Sequence, residues 1–315
     1  MAQRSGLPPY VNDMLGALGF DESTMIRSLR YVEPVSSFRS TYAYTNITHL
    51  IAGRVVAKAE GGSDWNVVLR EQLFDPLGMK QSSYTAGAIK AAPNHAEGYR
   101  YAPDGSVEVP FVHVPYNVGG AGDINSNIED MAHWVRLHLA NGSFEGQPLV
   151  SPENLAVTRT PKVAINDKTA YALGWILSQT PNGNLVWHNG GTYGFGSCVG
   201  LEFDKHIGVI VLTNQSNVGF PDAIGTWTLI NFWAIHRSTT SPKHSSVRQR
   251  NILIMTKRLP NRRIYSCRLL MCRSASGVKM TLTKSHCFLR EAWRALMRPR
   301  IASAGMPFDG SRRYS

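Results

Sequence analysis

Cysteine is nearly missing from the first three-quarters of this 315-residue chain. Cys198 stands alone there, and the other three, Cys267, Cys272 and Cys287, lie near the C-terminal end. A single thiol excludes a disulfide framework as the support of the fold and leaves the compartment open. No apolar run approaches the ~18 residues of a membrane-spanning helix. Met1-Ala2-Gln3-Arg4-Ser5-Gly6-Leu7 lacks the apolar core of a secretory signal, so localisation stays unassigned. Acidic residues are almost absent from Arg237 onward, where 18 Lys and Arg face only Glu291 and Asp309, a net of +16. The preceding residues carry 15 basic and 20 acidic side chains, a net of −5. The overall charge of +11 therefore belongs to the tail and says nothing of the body's partners. Composition divides the chain into a body, 1–235, and a basic segment, 236–315.

Within the body, Ser5-Gly6-Leu7-Pro8-Pro9-Tyr10 is rich in turn formers, and Val11 to Leu18 is a short amphipathic segment. Tyr42-Ala43-Tyr44 is extended. From Asn46 the period changes: Ile47, Leu50, Ile51, Arg54, Val55 and Lys58 predict a helix with one apolar face, ended by Gly61-Gly62. A second helix is predicted over Trp65 to Leu73, stopped by Asp75-Pro76-Leu77-Gly78-Met79. Residues 82–125 read as loop, ending in Gly119-Gly120-Ala121-Gly122. Ser126-Asn127-Ile128-Glu129 has capping-box spacing ahead of Met131, Ala132, Val135 and Leu139, and Asn141-Gly142 closes that helix. Tyr171, Leu173, Trp175 and Leu177 then alternate, and Pro181-Asn182-Gly183-Asn184 supplies a hairpin turn. Strands over Leu185–Trp187, Cys198–Phe203 and Ile207–Leu212 and a helix over Asp222–Trp233 complete an antiparallel meander with helices. The class is α+β.

Chemistry concentrates where strand Leu185–Trp187 runs into His188-Asn189-Gly190-Gly191-Thr192-Tyr193-Gly194-Phe195. Glycine lets backbone approach a ligand closely, and a strand delivering a His beside bare N–H groups suits an oxyanion site. A glycine-rich hairpin with an exposed His is the competing reading of this stretch alone. Upstream, Tyr44-Thr45-Asn46 places a phenol and an amide at a helix entrance, where a surface Tyr and a capping Asn are the default.

The ordered series Ser5-Gly6-Leu7-Pro8, Tyr44-x-Asn46, Phe74-Asp75-Pro76-Leu77-Gly78-Met79, Gly119-Gly120 with Asp130-Met131-Ala132, Leu173-Gly174-Trp175 and His188-x-Gly190-Gly191 with Gly194-Phe195 resembles the serine β-lactamase and penicillin-binding protein superfamily. It is most similar to the branch of class C β-lactamases, D-aminopeptidases, D,D-carboxypeptidases and esterases, over residues 5 to about 233. The resemblance implies a β-lactamase/transpeptidase-like fold, a small acyl, peptide or β-lactam-like substrate, and neither cofactor nor metal. It implies that Tyr44 relays a proton between nucleophile and leaving group, that Asn46 orients the substrate carbonyl and holds a lysine, and that His188 orients bound substrate. Gly191 would then give an oxyanion N–H, flanked by Gly190 and Thr192.

The family's nucleophile lies in a Ser-x-x-Lys motif preceding Ser-Gly-Leu-Pro. Here Ser276-Gly277-Val278-Lys279 is the single Ser-x-x-Lys, and it falls in the basic segment. The expectation is thus an incomplete fold without the nucleophile helix and early strands, catalytically inactive, with one edge of the meander unpaired and poor solubility. The basic segment reads as disordered or out-of-frame, the alternative being a nucleic-acid or membrane partner. Leu289, Trp293 and Leu296 would give such a partner a helical face. Cys267, Cys272, His286 and Cys287 fit no usual zinc spacing.

Overall fold

The computed structural model describes residues 1–239 apart from Ser63, Asp104, 112–115 and 217–218, with side chains to Asn231, and the backbone of Leu253–Thr256 and Cys267–Arg273. Ser276–Lys279, His286, Cys287 and the 289–296 segment lie outside the described residues.

Two short helices, α1 (Asp13–Ala17) and α2 (Glu22–Ser28), precede α3 (Asn46–Ala59). Ile47, Leu50, Gly53 and Ala57 are its buried positions, as the periodicity required, and Gly61 turns the chain away at φ 77°. α4 (Trp65–Leu69) continues as a wider turn over Arg70–Phe74 before Asp75-Pro76 stops it. Residues 82–125, expected as loop, hold α5 (Ala86–Ala91) and a hairpin of β1 (Gly98–Ala102) and β2 (Gly105–Val109). These elements are too short to show a period.

In α6 (Ile128–Leu139) the cap lies one residue later than the capping-box spacing suggested: Asn127 Oδ1 accepts the Asp130 N–H at 2.9 Å. Asn141 at φ 50° and Gly142 at φ 94° close it. The strands β3 (Ser143–Phe144) and β4 (Gln147–Pro148) and helix α7 (Pro152–Thr158) follow. The Tyr171–Leu177 alternation is not one strand. It breaks between β6 (Thr169–Tyr171), paired with β5 (Val163–Asn166), and β7 (Ile176–Thr180). Ala172 N–H instead donates to Trp175 O, closing a turn.

β8 (Gly183–Thr192), β9 (Phe195–Glu202), β10 (Ile207–Thr213) and α8 (Phe220–Thr239) complete the body. β8 does not end at Trp187. Gly190 pairs with Ser197 and Gly191 with Gly196, so cross-strand pairing carries the glycines through as strand. β11 (Leu253–Thr256) and β12 (Cys267–Arg273) add to the sheet, whose order is β11-β12-β10-β9-β8-β7-β6-β5, antiparallel throughout. Two stretches of the segment read as disordered are therefore strands. β12 pairs with β10, and β11 with β12. One compact unit runs from Met1 to Met280.

Side-chain alternation gives the sheet two faces. Val186, Leu201 and Ile210 meet Ile128, Ala132, Val135 and Leu139 of α6, while Leu185, Cys198, Val209 and Val211 meet Ile224 and Leu229 of α8. Leu137, on the far side of α6, is buried against Phe74, Leu77, Met79 and Phe144. Asp130 fixes that layer by accepting from Gln81 N–H at 2.9 Å and Ser82 Oγ–H at 2.8 Å.

His138 is 1 % exposed, with ring centroids 4.2 Å from Trp134 and 5.2 Å from Trp175, and neither ring nitrogen has a hydrogen-bond partner. Burial, with the Arg159 charge, lowers its pKa from 6.5 to about 3. The unfolded chain takes up this proton near pH 6.5 and the native chain only near pH 3, so stability falls as pH drops through that window. The cost is about 2–3 kcal/mol between pH 7 and 4.5. Denaturant unfolding of His138→Phe should lose that much less stability than the unsubstituted chain over the same range. Equal losses would contradict the assignment.

Candidate active site

Tyr44 and His188 stand side by side, with ring centroids 6.1 Å apart, and the candidate cleft is the surface they border. Tyr44 ends an extended stretch and Asn46 starts α3, so chain direction changes between them. Tyr10 N–H donates to Tyr44 O at 2.8 Å, and the Tyr10 ring stands 5.8 Å away. Tyr10 (φ 57°), Asn12 (φ 66°) and Gln3 (φ 53°) all hold left-handed backbone, a local strain that the surrounding contacts must offset.

Among the described residues the Asn46 amide is bonded to a carboxylate, not to a lysine. Its Nδ2 donates to Asp13 Oδ2 at 2.7 Å, and burial raises the Asp13 pKa while this bond lowers it. Burial is also the largest influence on Tyr44. With Tyr42, Tyr10 and Asp13 nearby it pushes the phenol up to about 12, so Tyr44 is protonated at neutral pH.

His188 is tied at both ring nitrogens. Nδ1 lies 2.6 Å from Asn189 O, and Nε2 lies 3.0 Å from Tyr171 Oη. A carbonyl can only accept, so Nδ1 carries the proton. Burial lowers the His188 pKa, which leaves Nε2 bare to accept from the Tyr171 hydroxyl. Alternation sends Asn189 to the other face, where its amide donates to Asp222 Oδ2 on α8 at 2.8 Å.

Pattern reading missed four more residues around this pair. Tyr171 is fully buried, its ring edge-on to Tyr44 at 6.2 Å and tilted on Tyr42 at 5.6 Å. Gln3 Oε1 accepts the Thr45 N–H at 2.8 Å, and Gln3 Nε2 donates to Thr45 O at 3.1 Å and lies 2.9 Å from His49 Nδ1. His49, one turn into α3, is lowered to about 4, chiefly by burial. Asp13 completes the set. Only His49 had a readable signal, its i+3 spacing from Asn46. The other contacts join distant segments.

Gly190, Gly191 and Thr192 continue β8 on the strand that carries His188. A Cβ on Gly190 would stand 2.5 Å from Ser197 Oγ, which places that hydroxyl over the glycine on the cleft face. Among the described residues no group of three or more His, Cys, Asp or Glu could hold a metal ion.

A family model described as Beta-lactamase matches residues 1–230. The chain is 29 % identical over 238 residues to unguisins hydrolase ungD' of Aspergillus campestris, an alignment covering 72 % of this chain and 43 % of that protein. The chain thus spans less than half the length of that relative. Among solved structures, an octameric penicillin-binding protein homologue from Pyrococcus abyssi superposes with TM-score 0.63 at 20 % identity, over 89 % of this chain and 72 % of that one. The D-amino acid amidase of Ochrobactrum anthropi SV3 gives 0.59 at 19 % identity, over 76 % and 71 %.

The β8–β9 corner needs its glycine. Gly194 sits at φ 86°, its N–H donates to Ser216 Oγ at 3.0 Å, and its carbonyl accepts from Tyr99 N–H at 3.2 Å. A Cβ there would approach Gly98 Cα to 2.6 Å, backbone against backbone. Gly194→Ala should therefore cost about 2–4 kcal/mol of stability in denaturant unfolding. A cost below half a kcal/mol would contradict this packing.

Proposed function

The chain belongs to the beta-lactamase family, and on that premise we propose that residues 1–235 form the substrate-binding walls of a serine hydrolase acting on amide or ester bonds through an acyl-enzyme. The observation that carries the reading is the Tyr44–His188 ring pair, 6.1 Å between centroids, with Tyr171 closing the triangle. In this mechanism a serine hydroxyl attacks the substrate carbonyl while the Tyr44 phenolic oxygen takes its proton and later returns it to the leaving group. The oxyanion is held by backbone N–H groups, one from Gly191, a donor worth about 3 kcal/mol.

A phenol held at about 12 accepts a proton at neutral pH only beside a cation. No Ser-x-x-Lys lies before Tyr44 in these 315 residues, and in the proposed reading the nucleophile and its lysine come from outside residues 1–235. Loss of such a serine costs on the order of a millionfold, about 8 kcal/mol of barrier. His188, standing where relatives carry Lys or His, favours an esterase or peptidase over a true β-lactamase.

A second reading rests on the net +16 of the basic segment: a non-catalytic pseudoenzyme or interaction protein contacting nucleic acid or an anionic membrane. Salt-sensitive retention of the chain on heparin or DNA supports it, and elution at low salt removes its basis.

Hydrolysis of a p-nitrophenyl ester, a D-amino acid p-nitroanilide and a chromogenic cephalosporin separates these readings. The 315-residue chain should match the uncatalysed rate. The same chain preceded by the Ser-x-x-Lys segment of a relative should turn over ester or anilide, and Tyr44→Phe should cut kcat about 10²–10⁴-fold. Turnover by the 315 residues alone, or an undiminished Tyr44→Phe, would overturn the proposal.

A further inference from the structure

His188 projects from β8 and reaches past β7 to a residue on β6, and that bond has a consequence independent of any hydrolysis. We propose that Tyr171 is a positioning residue that, with the Asn189 carbonyl, locks His188 as the neutral Nδ1–H tautomer, so that the His188 edge of the cleft is uncharged and presents neither a free donor nor a free acceptor.

The hydrogen-bond inventory carries the argument. Asn189 O, 2.6 Å from Nδ1, has lone pairs and no proton, which fixes the ring proton on Nδ1. The remaining lone pair on Nε2 meets Tyr171 Oη at 3.0 Å, and this hydroxyl is the one group of the pair with a proton to give. Tyr171 is 0 % exposed and flanked by Tyr42 and Tyr44, so its hydroxyl stays aimed at the imidazole. Register holds the geometry: Tyr171 pairs with Ile176, and Ile176 pairs with Trp187, the neighbour of His188.

The groups around the ring agree with a neutral form. On the cleft side stand Tyr44, pushed to about 12, and His49, lowered to about 4, which is also influenced by the Met1 amine. Across the sheet, Asp222 favours the charged imidazole, but burial outweighs it and the net shift is downward. A bond donated to the bare nitrogen stabilises the neutral ring and opposes protonation. The consequence for recognition is specific. A ligand carboxylate finds no cation on this edge, in contrast to a lysine at the same position, and an uncharged acyl group meets no penalty there.

Nitrogen NMR of the 15N-histidine-labelled 315-residue chain tests the lock, with the His188 signals identified by their loss in His188→Gln. At pH 7 the unsubstituted chain should show His188 protonated at Nδ1 and bare at Nε2. An Nε2–H tautomer, or an imidazolium at pH 7, would overturn the proposal, and this reading needs neither tyrosine variant to fold. Tyr171→Phe keeps the ring and deletes the bond, and should raise the His188 titration midpoint by roughly half to one unit, the worth of one hydrogen bond. Tyr42→Phe packs on the same ring without touching His188 and should leave the midpoint unchanged. An unmoved midpoint in Tyr171→Phe, or an equal shift in Tyr42→Phe, would contradict a role for that hydroxyl. None of these readouts depends on turnover, so failure of the hydrolase reading leaves them interpretable.

Discussion

Antiparallel pairing of β8 with β9 is the constraint from which the cleft follows. With Gly190 opposite Ser197, the two-residue alternation sends His188 to the face of Tyr171 and Tyr44 and sends Asn189 to α8. A slip of β8 by one residue would exchange them and turn Val186 away from α6. The apolar cores on the two faces thus hold the register, and the register aims the imidazole. Gly194 at the hairpin corner brings the β1–β2 hairpin against the same end of the sheet.

Charge balance in the cleft explains what these walls can and cannot do. Tyr44 is surrounded by Tyr10, Tyr42, Tyr171, His49 and His188, and the ionisable neighbours that move its pKa all push it upward. A base needs its proton to leave easily, and here it does not. Asn46, which the resemblance would have hold a lysine, gives its amide to the Asp13 carboxylate. Among the described residues no cation lowers the phenol.

How far the chain could be read in advance depended on the range of each interaction. The α3 and α6 periods follow from local side-chain spacing, and their apolar positions are the buried ones. Gly-rich 190–196 looked like turn, and pairing made strand of most of it. Tyr171 gave no signal, because its tie to His188 exists only once β6, β7 and β8 are in register. Gln3 is similar, forty-two residues from the Thr45 it brackets, with nothing periodic to connect them. Helices α2, α5 and α7 escaped notice for want of length.

The proposed role of residues 1–235, walls that take their serine from outside this stretch, is read directly by covalent labelling. Ser197 is the strongest internal competitor, since its hydroxyl lies over Gly190 on the cleft face. After treatment with a fluorophosphonate, peptide mass mapping of the 315-residue chain should find no stoichiometric adduct on any serine. A saturable adduct on Ser197, or on any other serine within these residues, would contradict the account, because the chain would then carry its own activated nucleophile.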